Sequence, residues 1–121
     1  MKKGRNKYRG SWTEPISKKI KLPFTIQSML KVLTWGATPS KSPYNHQDIA
    51  HWCDRFHIAM FNIDADSAMD IVIGVAADVD AQWDMFLANS YDLKQLQELD
   101  FSEVQMPLEF YEDWLKQIAG A

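Results

Sequence analysis

All three histidines and the one cysteine of this 121-residue chain fall within one short stretch: His46, His51, Cys53 and His57. Thiolate and imidazole are good zinc ligands and a familiar nucleophile–base pair, so chemistry is sought here first. On a helix, Cys53 and His57 are four residues apart and share a face. His51 falls on the opposite side, which reads as solvated, and His46 lies about 10 Å from Cys53 along the axis. Four ligands do not converge, so no metal site is expected. Cys53 reads as a small packed hydrophobe and His57 as the edge of an apolar stripe. Nothing in this acidic neighbourhood lowers a thiol pKa, so a Cys–His nucleophile is not expected either.

Asn62–Ile63–Asp64–Ala65–Asp66 imitates the opening of a calcium loop. The imitation fails at position six, where Ser67 replaces Gly, and at position twelve, where Ile73 replaces the bidentate Glu. A polar turn with Asp66 or Ser67 capping the next helix is the plainer reading. The chain has no GxSxG, phosphate-cradling glycine loop, GxGxxG, HExxH or paired CxxC. Its carboxylates are plentiful, but general acid–base work needs a cleft that raises one pKa, and a sequence does not display one. No catalytic residue, metal ligand or cofactor is assigned.

The charge is divided along the chain. Residues 1–41 hold ten Lys and Arg against Glu14 alone, a net of +9, while residues 42–121 hold three bases against fifteen acids, a net of −12. Such a split concerns partners and fields, not fold. The basic segment either lies over the acidic body or meets nucleic acid through Lys2, Lys3, Arg5, Lys7 and Arg9. The acidic body can instead receive a basic protein. A single cysteine gives no support to an oxidising compartment, and no apolar run approaches a membrane helix, so the expected location is cytoplasmic.

These residues need elements to hold them. Residues 1–22 show no periodicity and read as an extended basic N-terminal arm ahead of an acidic helical domain, 23–121. Ile26, Met29, Leu30 and Leu33 recur at helical spacing, with Thr25 as N-cap and Gly36 as stop. Asn45, with Asp48 three residues on, opens a helix whose stripe is Ile49, Trp52, Cys53, Phe56 and Met60. Ile71–Val75 has strand propensity, but Val72, Val75, Val79, Trp83 and Phe86 keep a helical step, so helix is expected from Ala68 to Ala88. A short helix follows around Leu93, Leu96 and Leu99, capped by Ser90 or Asp92. In the last helix Pro107 fits the first turn, and Leu108, Tyr111, Leu115 and Ile118 face inward. The expected fold is all-α, a small single-domain bundle of about five helices.

On that frame Asp70, Gly74, Ala77, Ala81, Asp84 and Ala88 oppose the apolar face of the long helix. Asp80 stands one turn from Asp84. Glu109, Glu112 and Asp113 line the last helix. The expected function is a non-enzymatic protein-interaction module, by analogy with immunity proteins and antitoxins whose acidic surface blocks a basic nuclease. Its carriers would be Asp70, Asp80 and Asp84, with Glu109, Glu112 and Asp113 as a second patch. The alternatives are a nucleic-acid-associated protein using the arm, and a small enzyme or metal-binding protein.

Overall fold

Helix starts in this chain are set by short polar side chains that accept from the first free amides. Thr25 accepts from Ser28 N and opens α1 (Ile26–Ala37). Asn45 and Asp48 form a reciprocal capping box at the start of α2 (His46–Met60). Asp66 accepts from Met69 N and opens α3 (Ser67–Ser90), so Ile71–Val75 is helical. Asp92 and Gln95 form a second capping box at α4 (Leu93–Glu98), and α5 (Leu108–Ala119) follows Pro107. Pro107 is itself the cap residue, one position outside the first turn. The computed structural model describes residues 8–9 and 12–120, with side chains from Glu14 onward. Ahead of the helices, β1 (Tyr8–Arg9) and β2 (Trp12–Thr13) pair as a two-residue antiparallel ladder beside α4.

The helices form a small all-α bundle. α2 packs along α3, α1 along α5, and α3 touches α1, α2 and α5. The core is built from Met29, Val32 and Leu33 of α1, Ile49, Trp52, Cys53 and Phe56 of α2, the Val72–Val75–Val79–Trp83–Leu87 stripe of α3, and Tyr111 and Trp114 of α5. Each large apolar side chain fully buried there contributes about 1.5–3 kcal/mol of transfer free energy. Leu30 departs from the expected stripe and is 36% exposed, because the buried face of α1 runs through Ser28, Met29, Val32, Leu33 and Gly36.

Gly36 does not stop α1, which continues to Ala37. A Cβ at Gly36 would overlap the Tyr111 ring, so the glycine is there for close approach of α5. His46 ties the same region together. Its Nδ1 accepts from Met106 N at 2.9 Å, which leaves the proton on Nε2 to donate to Gly36 O, also at 2.9 Å. Its ring packs on Tyr111 with centroids 4.5 Å apart. Burial holds the His46 pKa below its ordinary value, and the Gly36 hydrogen bond only partly opposes this.

The segment ahead of α1 packs on the helices. Residues 14–22 belong to the body: Glu14 and Ile20 are buried, and Lys18 N donates to Asp48 Oδ1 at 2.8 Å. Across Lys19–Ile20–Lys21–Leu22 exposed lysines alternate with buried Ile20 and half-buried Leu22, the period of extended chain laid on a surface. Four residues of alternation inside a basic run carry little signal, which is why the segment reads as an arm.

Candidate functional site

The extended segment 14–22 lies along a polar face of α2 that is distinct from the core stripe. Gln47, His51 and Arg55 recur every four residues and so share that face. Glu14 reaches into it and collects donors from two helices on one oxygen: Oε1 accepts from Trp83 Nε1 at 2.9 Å, His51 Nε2 at 3.0 Å and Gln47 Nε2 at 3.3 Å. Its Oε2 is buried with no hydrogen-bond partner among the described residues. Burial by itself would raise the Glu14 pKa. The hydrogen bond and charge of His51, together with the Trp83 and Gln47 donors, outweigh it and hold the carboxyl below its usual value. Glu14 is therefore a fixed carboxylate at neutral pH.

An ionised carboxylate only accepts, so Nε2 of His51 carries a proton. In the neutral ring the lone pair then sits on Nδ1, and Ser17 Oγ lies 2.6 Å from that nitrogen. The result is a carboxylate–imidazole–hydroxyl chain, with Glu14 orienting His51 and His51 poised to accept the Ser17 proton. Ser17, His51 and Glu14 line a pocket of about 230 Å³ together with Pro15, Lys19 and Arg55. A wider cleft of about 570 Å³ opens on the other side of Ile16–Ser17, against the loop at Pro43–Tyr44. His51 is thus not on a solvated face. The segment 14–22 covers it, and that segment has no helical period by which its position could be anticipated.

The expected acidic carriers are distributed unequally. Asp70 is exposed near the start of α3, and Asp80 is half-buried. Asp84 is 5% exposed and is withdrawn as a surface carrier. α3 is central and packs on more than one side, so its buried arc reaches past Trp83 to the neighbouring Asp84. Glu109, Glu112 and Asp113 are all exposed on α5. Asp113 shares a groove of about 190 Å³ with Asp78, a residue missed in the sequence, whose Oδ2 accepts from Trp114 Nε1 at 2.7 Å. The structure therefore brings Asp113 of α5 to the same groove as Asp78, a groove that Asp70 and Asp84 do not line. Lys2, Lys3, Arg5, Lys7 and the side chain of Arg9 lie outside the described residues.

Cys53 is sealed in the core, and burial pushes its thiol well up, with Asp80 and Asp54 adding and Arg55 opposing. Among the described residues no three His, Cys, Asp or Glu side chains gather as metal ligands. No helix among them is long and apolar enough to cross a membrane. Compared with known protein families, curated proteins and solved structures, the chain matches none.

The α2–α3 end of the bundle carries the other notable surface. Ile58, Phe61 and Ile63 are 54%, 55% and 44% exposed, and Ile71 of the first α3 turns is exposed as well. Exposed Asp64, Asp66 and Asp70 stand among them in the sequence. Between Arg55 and Lys94 the chain has no Lys or Arg at all.

Proposed function

We propose that the protein is an interaction module whose acidic surface receives a basic protein partner, in the manner of an inhibitor that occupies a partner's anion-binding face. The observation that carries the reading is the α2–α3 end: four exposed apolar side chains, Ile58, Phe61, Ile63 and Ile71, interspersed with Asp64, Asp66 and Asp70. Large exposed apolar groups with a polar rim mark protein contact surfaces, and one aromatic often dominates the affinity. Carboxylates at the rim supply long-range attraction and select a cationic partner. Asp70 keeps its place as a carrier. Glu109, Glu112 and Asp113 of α5, with Asp78, form the second acidic patch.

The test is binding of a captured partner, purified and titrated, to the wild type and to the Phe61→Ala, Asp70→Lys double variant. Both side chains are exposed, so the bundle should stay folded, with only a small loss of melting temperature from placing Lys in the first turn of α3. The expected result is a loss of about tenfold or more in affinity, with weaker salt dependence for the variant. Unchanged affinity would remove the α2–α3 end from the interface. If removal of residues 1–10 abolishes association with RNA or DNA while the double variant binds as before, the function passes to Lys2, Lys3, Arg5, Lys7 and Arg9.

A further inference from the structure

We infer that Ser17, His51 and Glu14 form a site for nucleophilic acyl transfer, and that its substrates are short-chain carboxylic esters. The inference is independent of the interaction surface, with which it shares no residue. Three requirements of acyl transfer meet at one pocket. The nucleophile and base are in contact, with Ser17 Oγ 2.6 Å from His51 Nδ1. The base is oriented by Glu14, which Trp83 and Gln47 hold in turn, so Glu14 is a positioning residue. A cation faces the same space. Arg55 lines the pocket; its guanidinium donates a long hydrogen bond to Ile20 O at 3.5 Å and lies in the field of the Asp54 carboxylate. Its positive charge at the pocket wall is what a developing oxyanion would face.

Pocket size sets the substrate class. At about 230 Å³ the pocket falls below the roughly 300–1,000 Å³ of sites for drug-sized ligands, which suits a short acyl group such as acetyl or propionyl. In the first half-reaction Ser17 Oγ bonds to the ester carbonyl carbon as its proton passes to His51 Nδ1. The carbonyl oxygen becomes an oxyanion facing Arg55. The ester C–O bond then breaks, and His51 returns the proton to the departing alkoxide, which leaves as an alcohol. In the second, His51 takes a proton from water and the hydroxide adds to the acyl carbon. Ser17 Oγ departs and recovers that proton, releasing the carboxylic acid. Ester and water go in; acid and alcohol come out.

The experiment uses the full chain with p-nitrophenyl acetate, and acid-quenched samples are peptide-mapped for acetyl groups. The expected result is acetylation at Ser17 and steady release of p-nitrophenol. Ser17→Ala should bring release to the level of buffer, and His51→Gln should lower it by about a hundredfold or more. Glu14→Gln should lower kcat with KM unchanged, because an amide no longer fixes the His51 tautomer, whereas mere loss of folded protein would leave kcat per acylated site intact. Ser17 sits on an extended, partly exposed segment, so its alanine variant keeps the readout when the Glu14 variant folds poorly. Absence of hydrolysis by the wild type, equal hydrolysis by Ser17→Ala, or acetyl groups on lysines alone would each overturn the assignment.

Discussion

His46 and His51 stand five positions apart on α2, and each joins segments that are remote in the chain, yet their surroundings differ in kind. His46 is sealed, and both its partners are backbone groups, Met106 N and Gly36 O. His51 is half-buried beside a pocket, and both its partners are side chains, a carboxylate and a hydroxyl. Backbone partners are part of the fold and cannot leave without unfolding it. A hydroxyl on an extended surface segment can be lost or acylated while the bundle persists. The contrast teaches that partner chemistry, and not residue type or helix position, separates a structural histidine from a reactive one.

The sharpest way to break the contrast is to remove His46. His46→Ala leaves the Met106 amide and the Gly36 carbonyl buried without partners and opens space against Tyr111. Each orphaned backbone group costs about 1–3 kcal/mol, so a total loss near 4 kcal/mol is expected in denaturant unfolding. A loss below about 1 kcal/mol would mean that α1, α2 and the 101–107 segment hold together without it.

The two sites were also unequally legible in the sequence. The caps Thr25 and Asn45 were readable, and Asp66 and Asp92 each as one of two candidates, because each acts over three residues; the α2 and α3 stripes were readable because one helix face repeats over several turns. The Glu14 site was not readable. Its donors Gln47, His51 and Trp83 lie 33, 37 and 69 residues away, and they reach Glu14 through an extended segment that has no period to reveal its path. A trace existed in the four-residue spacing of Gln47, His51 and Arg55, a polar stripe beside the apolar one. Asp84 was misplaced for another reason: the width of a buried arc depends on how many neighbours pack against the helix, and a single helix's sequence does not state that number. His46 was visible only as a potential ligand, since backbone partners leave no mark in side-chain composition.

Acid should sharpen the contrast by degrees. The His46 pKa is lowered by burial from an ordinary value of 6.5, against the pull of the Gly36 hydrogen bond. Below 6.5 the unfolded chain binds the proton more readily than the folded one, so acid favours unfolding. The neutral His46 contribution is fully present above about 6.5 and is lost as pH falls towards the folded value. For Glu14 burial raises the pKa but His51, Trp83 and Gln47 lower it further, so the net shift is below 4.5. Its contribution is present above about 4.5 and is lost as pH falls through the folded value. Melting temperature measured from pH 8 to pH 3 should therefore be flat at first, then fall in two stages. In His46→Gln the stage beginning near 6.5 should vanish while the lower one remains. An unchanged upper stage in that variant would show that the proton binds elsewhere.

The smallest effect is the most discriminating. Ser17→Ala removes one hydroxyl from a partly exposed residue whose backbone runs outside any helix or strand. His51 Nδ1 then loses its partner, but the ring is half-buried at a pocket mouth where water can replace the hydroxyl. The expected stability change is within about 0.5 kcal/mol, the range of ordinary surface substitutions. Glu14 keeps its three donors, so segment 14–22 stays in place. A cost of about 2 kcal/mol in denaturant unfolding would mean that the hydroxyl fastens the segment to α2 as His46 fastens α1 to residues 101–107. The two histidines would then be of one kind, and Ser17 would be a clasp instead of a nucleophile. A change near zero leaves a 2.6 Å serine–imidazole contact that stability does not require, as the assignment of Ser17 as nucleophile expects.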